Sequence, residues 1–449
     1  MNRWLLGLCA AVVGGGATAA DAPPAAGAVG RGAEAVRGRP ALNPPFCSTE
    51  AYEGLWKRWG VPARPADFAR AVRGRYGLHP APYENAGLPM GIHPARNVFG
   101  KGVSTDCLLC HAGTVAGKTV IGVGNAALDI ETLLSDLVAA GGGSRDQVPF
   151  KFSHARGTID PVSPFTYLMT MRTPDLTLRP PADADYFPGL CSDPPAWWQL
   201  KKKKTRDWTG AADARAARLD MVTLLSPFNS GGFVKRQEGV FADIHAFVMS
   251  VEAPKYPFPV DAGRAARGAE LFAAHCASCH GTYGPDWTYP NRVVPLAKIG
   301  TDPALAAAFS KRNMDHFNAS WFAAETGPDG KPFKIADTKG YQAPPLDGVW
   351  ATAPYFHNGS VPTVYHVLNS KARPKVFTRS FRGEEEDYDP VNLGLKVTVL
   401  GTPSDPKPAP EPRDVYDTTV PGRTNGGHTY GDDFTEAERA AVIEYLKTL

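Results

Sequence analysis

A mainly α chain of two small cofactor-bearing domains, with long irregular loops and an N-terminal extension, is what three features of the sequence predict. Cys-x-x-Cys-His occurs twice, as Cys107-Leu108-Leu109-Cys110-His111 and Cys276-Ala277-Ser278-Cys279-His280. Apolar residues recur at helical spacing as Phe241, Ile244, Val248 and Val251. The 42 prolines and 46 glycines among 449 residues break much of the remaining chain into irregular loops, which a domain tolerates when a bound group supplies part of its core.

The repeated pentapeptide is the attachment site of a c-type haem: two thiols add to the haem vinyl groups, and the adjacent histidine lies under the iron as its proximal ligand. A redox dithiol or half of a zinc site competes for Cys-x-x-Cys alone. The histidine in both copies, Gly281 after the second and an export signal at the N-terminus set that reading aside. Two covalently bound c-type haems are therefore expected, on Cys107, Cys110 and His111 and on Cys276, Cys279 and His280.

Taken in chain order, Arg3, the apolar stretch Trp4 to Val13 and the small residues Ala17-Thr18-Ala19 predict a signal peptide over residues 1–20, and hence a periplasmic or secreted protein. The apolar stretch is too short to span a bilayer, and no later run reaches about 18 apolar residues, so no membrane insertion is expected. Cys9 lies inside the apolar stretch, which argues against lipidation. Residues 21–97 form the N-terminal extension: 21–45 are rich in Ala, Gly and Pro and expected to be mobile, whereas Trp56, Trp59 and Phe68 are expected to pack on the first haem domain. That domain is assigned to 98–253 and ends with a helix from Val240 to Val251. Pro254, Pro257 and Pro259 exclude helix from the linker, assigned to 254–262.

Cysteine arithmetic leaves Cys47 and Cys191 once haem and signal have taken the other five, and in an oxidising compartment they are expected to pair; two buried free thiols are the alternative. A net charge of +3 with 21% charged residues gives no basic stripe, so a nucleic-acid partner is excluded. Lys201 to Lys204 are the local exception, read as a solvated loop or, less favoured, a docking patch.

The second domain, 263–449, opens like a class I cytochrome c. Arg267-Gly268-Ala269-Glu270-Leu271-Phe272 precedes Cys276, and a last helix ends at Leu449. In that fold the two helices cross, and Gly268 permits the close approach. Thr435 and Glu438 make a capping box for the last helix. Between them, about 367–420 reads as a Pro-rich, charged insertion. The fold class is thus mainly α, with two class I cytochrome c-like haem domains.

On further stretches the chain resembles the di-haem cytochrome c peroxidase superfamily, and within it the rubber oxygenase (RoxA) type and its shorter relatives. The stretches are Glu252-Ala253-Pro254-Lys255-Tyr256-Pro257, Ala353-Pro354-Tyr355-Phe356-His357-Asn358-Gly359-Ser360-Val361-Pro362-Thr363, Asp387-Tyr388-Asp389-Pro390-Val391, Pro421-Gly422-Arg423-Thr424-Asn425-Gly426-Gly427-His428 and Tyr445-Leu446-Lys447-Thr448-Leu449. The likeness is strongest over 240–449; before that it rests on Cys107 to His111 and loosely on Trp197-Trp198 with the lysine run. The chain is much shorter than a rubber oxygenase, which argues against polymer cleavage.

The resemblance implies that His428 is the distal ligand opposite His280, with His357 as the rival. For the first haem, the distal candidates by residue type are His79, His93, His154, His245, Met169 and Met171, with ordinary core packing as the bland reading of His245 and both methionines. The resemblance further implies that dioxygen binds this haem in an apolar pocket bearing aromatic residues, for which Trp197, Trp198 and Trp208 are the candidates. Trp287, Trp321 and Trp350 are further rings available between the haems. Three functions follow: an oxygenase acting on an apolar or small-molecule substrate, a peroxidase reducing hydrogen peroxide, or an electron carrier, each served by a small redox protein or electron donor. Calcium between the domains is what the peroxidase branch implies; Glu384 to Asp387 look too exposed to hold it.

Overall fold

The computed structural model describes residues 27–97, 100–144, 146, 148–401 and 411–449; the signal segment expected over 1–20 lies outside them. Among the described residues, short helices alternate with six small sheets of two or three strands. No helix among the described residues is long and apolar enough to cross a membrane.

Within the stretch 21–45 expected to be mobile, of which 21–26 lie outside the described residues, a docked helix, Gly27–Ala35, is laid along the helix Glu238–Ser250. Gly32 explains the docking: a Cβ there would stand 2.0 Å from the Asp243 carbonyl oxygen, so only glycine allows this approach. Arg31 adds a two-pronged ion pair to Asp243 at 2.7 and 2.8 Å. Composition alone suggested mobility because it registers low propensity and misses a partner helix more than 200 residues away.

The extension continues with strand Cys47–Ser48, which pairs antiparallel with Gly100–Thr105, itself hairpinned to Ile92–Asn97. Helix Phe68–Tyr76 and helix Ile130–Ala140 close a core of Leu55, Val72, Tyr76, Ile92, Leu133 and Leu137. Trp59 stacks on Phe68 at 5.6 Å and donates to the Tyr76 hydroxyl, which donates to Asp136. Cys47 sits in this core and Cys191 in a separate cluster with Phe377 and Tyr416; both are free and buried, so the expected disulfide is absent. Each thiol is packed among apolar side chains of its own cluster, which is the alternative reading of the pair.

Helices Ala262–His275 and Glu436–Leu446 frame the second motif. Their crossing depends on Gly268, where a Cβ would lie 1.9 Å from the Ala441 carbonyl oxygen. Thr435 and Glu438 form the reciprocal capping box. The segment 253–259 contains neither helix nor strand. Within the insertion, Val376–Arg379 is the central strand of an antiparallel sheet, between Val397–Val399 and Val415–Asp417. Short β-structure accounts for its lack of helical periodicity.

Candidate functional site

The two motifs sit in different local structure. Cys276 ends the long helix, and His280 closes a single turn, its amide donating to the Cys276 carbonyl at 3.0 Å. Cys107 instead opens a 3-10 turn capped by Asp106, whose carboxylate accepts the Leu108 amide at 2.9 Å. A strand, Gly100–Thr105, precedes it where a class I cytochrome c-like domain would place a helix, and the hairpin Ala112–Val115/Lys118–Ile121 follows.

At the second motif, His280 Nδ1 donates to the Pro344 carbonyl at 2.8 Å. A carbonyl only accepts, so this bond places the proton on Nδ1 and leaves the Nε2 lone pair free. The His428 ring faces it with centroids 6.3 Å apart and planes at 57°. Two metal–nitrogen bonds of about 2 Å and two half-rings fit that gap, so the pair suits an iron between them. His428 takes a left-handed backbone, φ 46°, unusual for a residue with a side chain. It is held there by its amide donating to Ile299 and by Arg373, which donates to the carbonyls of Asn425, Gly427 and His428. Burial lowers His428 to about 4 and also lowers His280, keeping both imidazoles neutral. His357 is turned elsewhere, stacked on Tyr341 at 4.0 Å.

At the first motif, Cys107, Cys110 and His111 line a cavity of about 800 Å³, within the range of cofactor sites. Its walls are largely apolar, with Phe165, Met169, Phe241, Ile244, Val248 and Phe317 among them. Burial lowers His111 to about 4; the nearby Pro195 carbonyl partly opposes this, although Nδ1 makes no well-formed hydrogen bond. A neutral imidazole beside two thiols on such a wall fits a thioether-linked haem. Trp197 stacks on the His111 ring at 5.1 Å. Among the described residues, no imidazole faces His111 as His428 faces His280.

Of the candidates for the first site, Trp197, Trp208, Met169 and His93 line the cavity. Trp198 does not: it is fully buried in the C-terminal core, its indole donating to the Asp347 carbonyl at 2.8 Å. Its place next to Trp197 in sequence puts it on the opposite face of a 3-10 turn, Trp197–Lys202. His79 bonds to Asn125, His154 accepts the Gly189 amide, and His245 and Met171 lie off the cavity. Trp350 donates to Pro254, Trp321 carries the Arg218 guanidinium on its face, and Trp287 is exposed. Glu384 to Asp387 cap their own turn, and no cluster of three metal-binding side chains occurs among the described residues.

Sequence reasoning missed His316 and the charged group Lys203, Arg206, Asp207 and Asp220, all of which line the cavity. The lysine run drew attention to Lys203, and the run is a solvated loop only in part, at the exposed Lys204. Lys201 pairs with Glu252, Lys202 with Asp347 at 2.7 Å, and Lys203 turns inward. His93 and Asp106 form a buried pair at 3.3 Å on the cavity wall, which the proximity of Asp106 to Cys107 foreshadowed.

Comparison with known proteins finds a cytochrome c-like segment, which implies a c-type haem with iron. Residues 340–378 match the family described as RoxA-like, cytochrome c-like, which supports a RoxA-related haem cytochrome. That segment contains Pro344, His357 and Arg373. The chain is also similar to two proteins of Sinorhizobium fredii. The uncharacterized protein y4iM is 29% identical over 294 residues, 57% of this chain and 64% of that protein. The uncharacterized protein y4iJ is 30% identical over 248 residues, 42% of this chain and 39% of that protein. The chain thus matches less than two thirds of the length of either relative.

Proposed function

We propose that the chain is an exported di-haem c-type cytochrome and a redox enzyme, with dioxygen activated in the cavity beside His111 and electrons held at a bis-histidine site formed by His280 and His428. One contrast carries this reading: an imidazole closes the second site at 6.3 Å, while a largely apolar cavity lies beside the first. A bound c-type haem supplies one-electron chemistry and, where its sixth position is open, a place for a small oxidant. The chain's own residues do the rest. Phe165, Met169 and Phe317 offer an apolar wall to a small alkene or aromatic substrate and exclude water. Pro344 orients His280, and Arg373 holds the backbone of His428. In this reading the second unit is class I cytochrome c-like, the first is a haem unit of different local build, and a small redox protein is the electron donor.

Reduction of hydrogen peroxide is the second reading, and one observation favours it. The His93–Asp106 pair lines the cavity, and a carboxylate-oriented imidazole is a proton donor or acceptor of the kind O–O cleavage requires.

Optical and EPR spectra of the purified protein, before and after reduction and with carbon monoxide, dioxygen and peroxide, test both readings. One low-spin site unmoved by ligands beside one that responds is the expected result, and the ligand that turns over separates oxygenase from peroxidase. Two low-spin sites untouched by every ligand, before and after partial reduction, leave an electron carrier.

A further inference from the structure

We infer that Lys203 is a carboxylate-binding residue of the first cavity, its ammonium holding either a propionate of the haem on Cys107 and Cys110 or the carboxylate of a small-molecule substrate. The propionate source rests on the haem reading above; the substrate source does not.

The observation is a cavity-lining cation without an ion-pair partner among the described residues. Of the four consecutive lysines, Lys201 and Lys202 have carboxylate partners, and Lys202 also lies between the Tyr283 and Trp287 rings at 4.7 and 4.8 Å. Lys203 is half-buried and lines the cavity. Its Nζ donates a long bond of 3.3 Å to the neutral Asp207 carbonyl, and no described carboxylate lies within ion-pair distance of it. The Asp207 carboxylate is near enough to favour the charged ammonium but is directed at Arg206, 3.8 Å away. Arg206 is committed to Asp220 through two bonds of 2.7 and 3.0 Å. The cavity wall therefore presents one ammonium with no described carboxylate within ion-pair distance. Burial lowers Lys203 to about 8, with Asp207 opposing in part.

A buried ammonium is stabilised by a charge-assisted bond from a carboxylate, and both haem and many small apolar metabolites carry one. Arg206 offsets Asp220, and Asp207 acts on Lys203 only through space, so an added carboxylate would supply the direct charge-assisted bond that Lys203 lacks.

The test compares wild type, Lys203→Met and Lys203→Arg, with haem on Cys107 and Cys110 checked by intact mass. If the carboxylate is a propionate, its stretch in the redox-difference infrared spectrum shifts in Lys203→Met and returns in Lys203→Arg, and added octanoate has no effect. If it belongs to a substrate, octanoate binds wild type saturably while octanol does not, and affinity falls at least tenfold in Lys203→Met but not in Lys203→Arg. Unchanged infrared bands together with no Lys203-dependent octanoate binding overturn the inference. Absence of haem from Cys107 and Cys110 defeats the haem reading alone, and the octanoate comparison then decides the role of Lys203.

Discussion

His428 occupies a backbone conformation that costs about 1–3 kcal/mol for a residue with a side chain, and three carbonyls of its loop are pinned by one guanidinium. Such strain persists where the surroundings over-determine it, which fits a side chain that must reach one position. On the proposed bis-histidine reading, His428→Ala is expected to convert a low-spin signal at the second site to a ligand-responsive one, with added imidazole restoring it. His357→Ala should leave that signal intact; the reverse result would move the ligand to His357. Asp193 gives a prediction in pH. Burial raises its carboxyl well above the usual range, with Arg379 opposing only in part. The folded state therefore keeps a proton that the unfolded chain releases above about pH 4, so stability falls as pH rises through that interval. Asp193→Asn removes this slope: urea midpoints of the variant should gain on wild type from pH 4 towards neutrality.

Glycine decides how the helices meet. At Gly268 an added methyl would strike the Ala441 carbonyl and come within 2.9 Å of Tyr445 Cβ, so the two framing helices must separate. Gly268→Ala is expected to cost about 1–3 kcal/mol, read as a lower melting temperature. Gly74 is the control: it lies in a helix, with nothing within 4 Å of its added Cβ. Gly74→Ala should be neutral or stabilising by up to about 1 kcal/mol.

Across the whole molecule, distant segments are tied by charge-assisted bonds and one buried ring. Arg413, beside the insertion sheet, donates to Asp129 at the start of helix Ile130–Ala140 and to the Ser153 carbonyl. Arg156 returns the tie, donating to the Gly74 and Ala127 carbonyls and pairing with Asp414. Trp198 inserts from the N-terminal half into the C-terminal core. Arg413→Ala leaves the buried Asp129 without its cation, and is expected to lose about 1.5–3 kcal/mol with faster proteolysis near the insertion. Unchanged melting and cleavage would show that the sheet is held by packing alone.

The two Cys-x-x-Cys-His pentapeptides, the Gly268 crossing, the capping box of the last helix and the absence of helix from the proline-rich segment 253–259 were legible in the sequence by itself. Each depends on groups adjacent in the chain or on a conformational property of one residue type, so local chemistry suffices. Tertiary structure decided the rest. Cys47 and Cys191 stay apart because each packs into a different core, and Gly27–Ala35 is ordered by a helix far along the chain. Trp197 and Trp198 part to opposite faces of one turn, and Lys203 parts from its paired neighbours. The facing of His280 and His428 depends on a loop anchored by Ile299 and Arg373. Sequence determines which groups are available; which of them meet is set by close packing, where a shift of one methyl changes the partner.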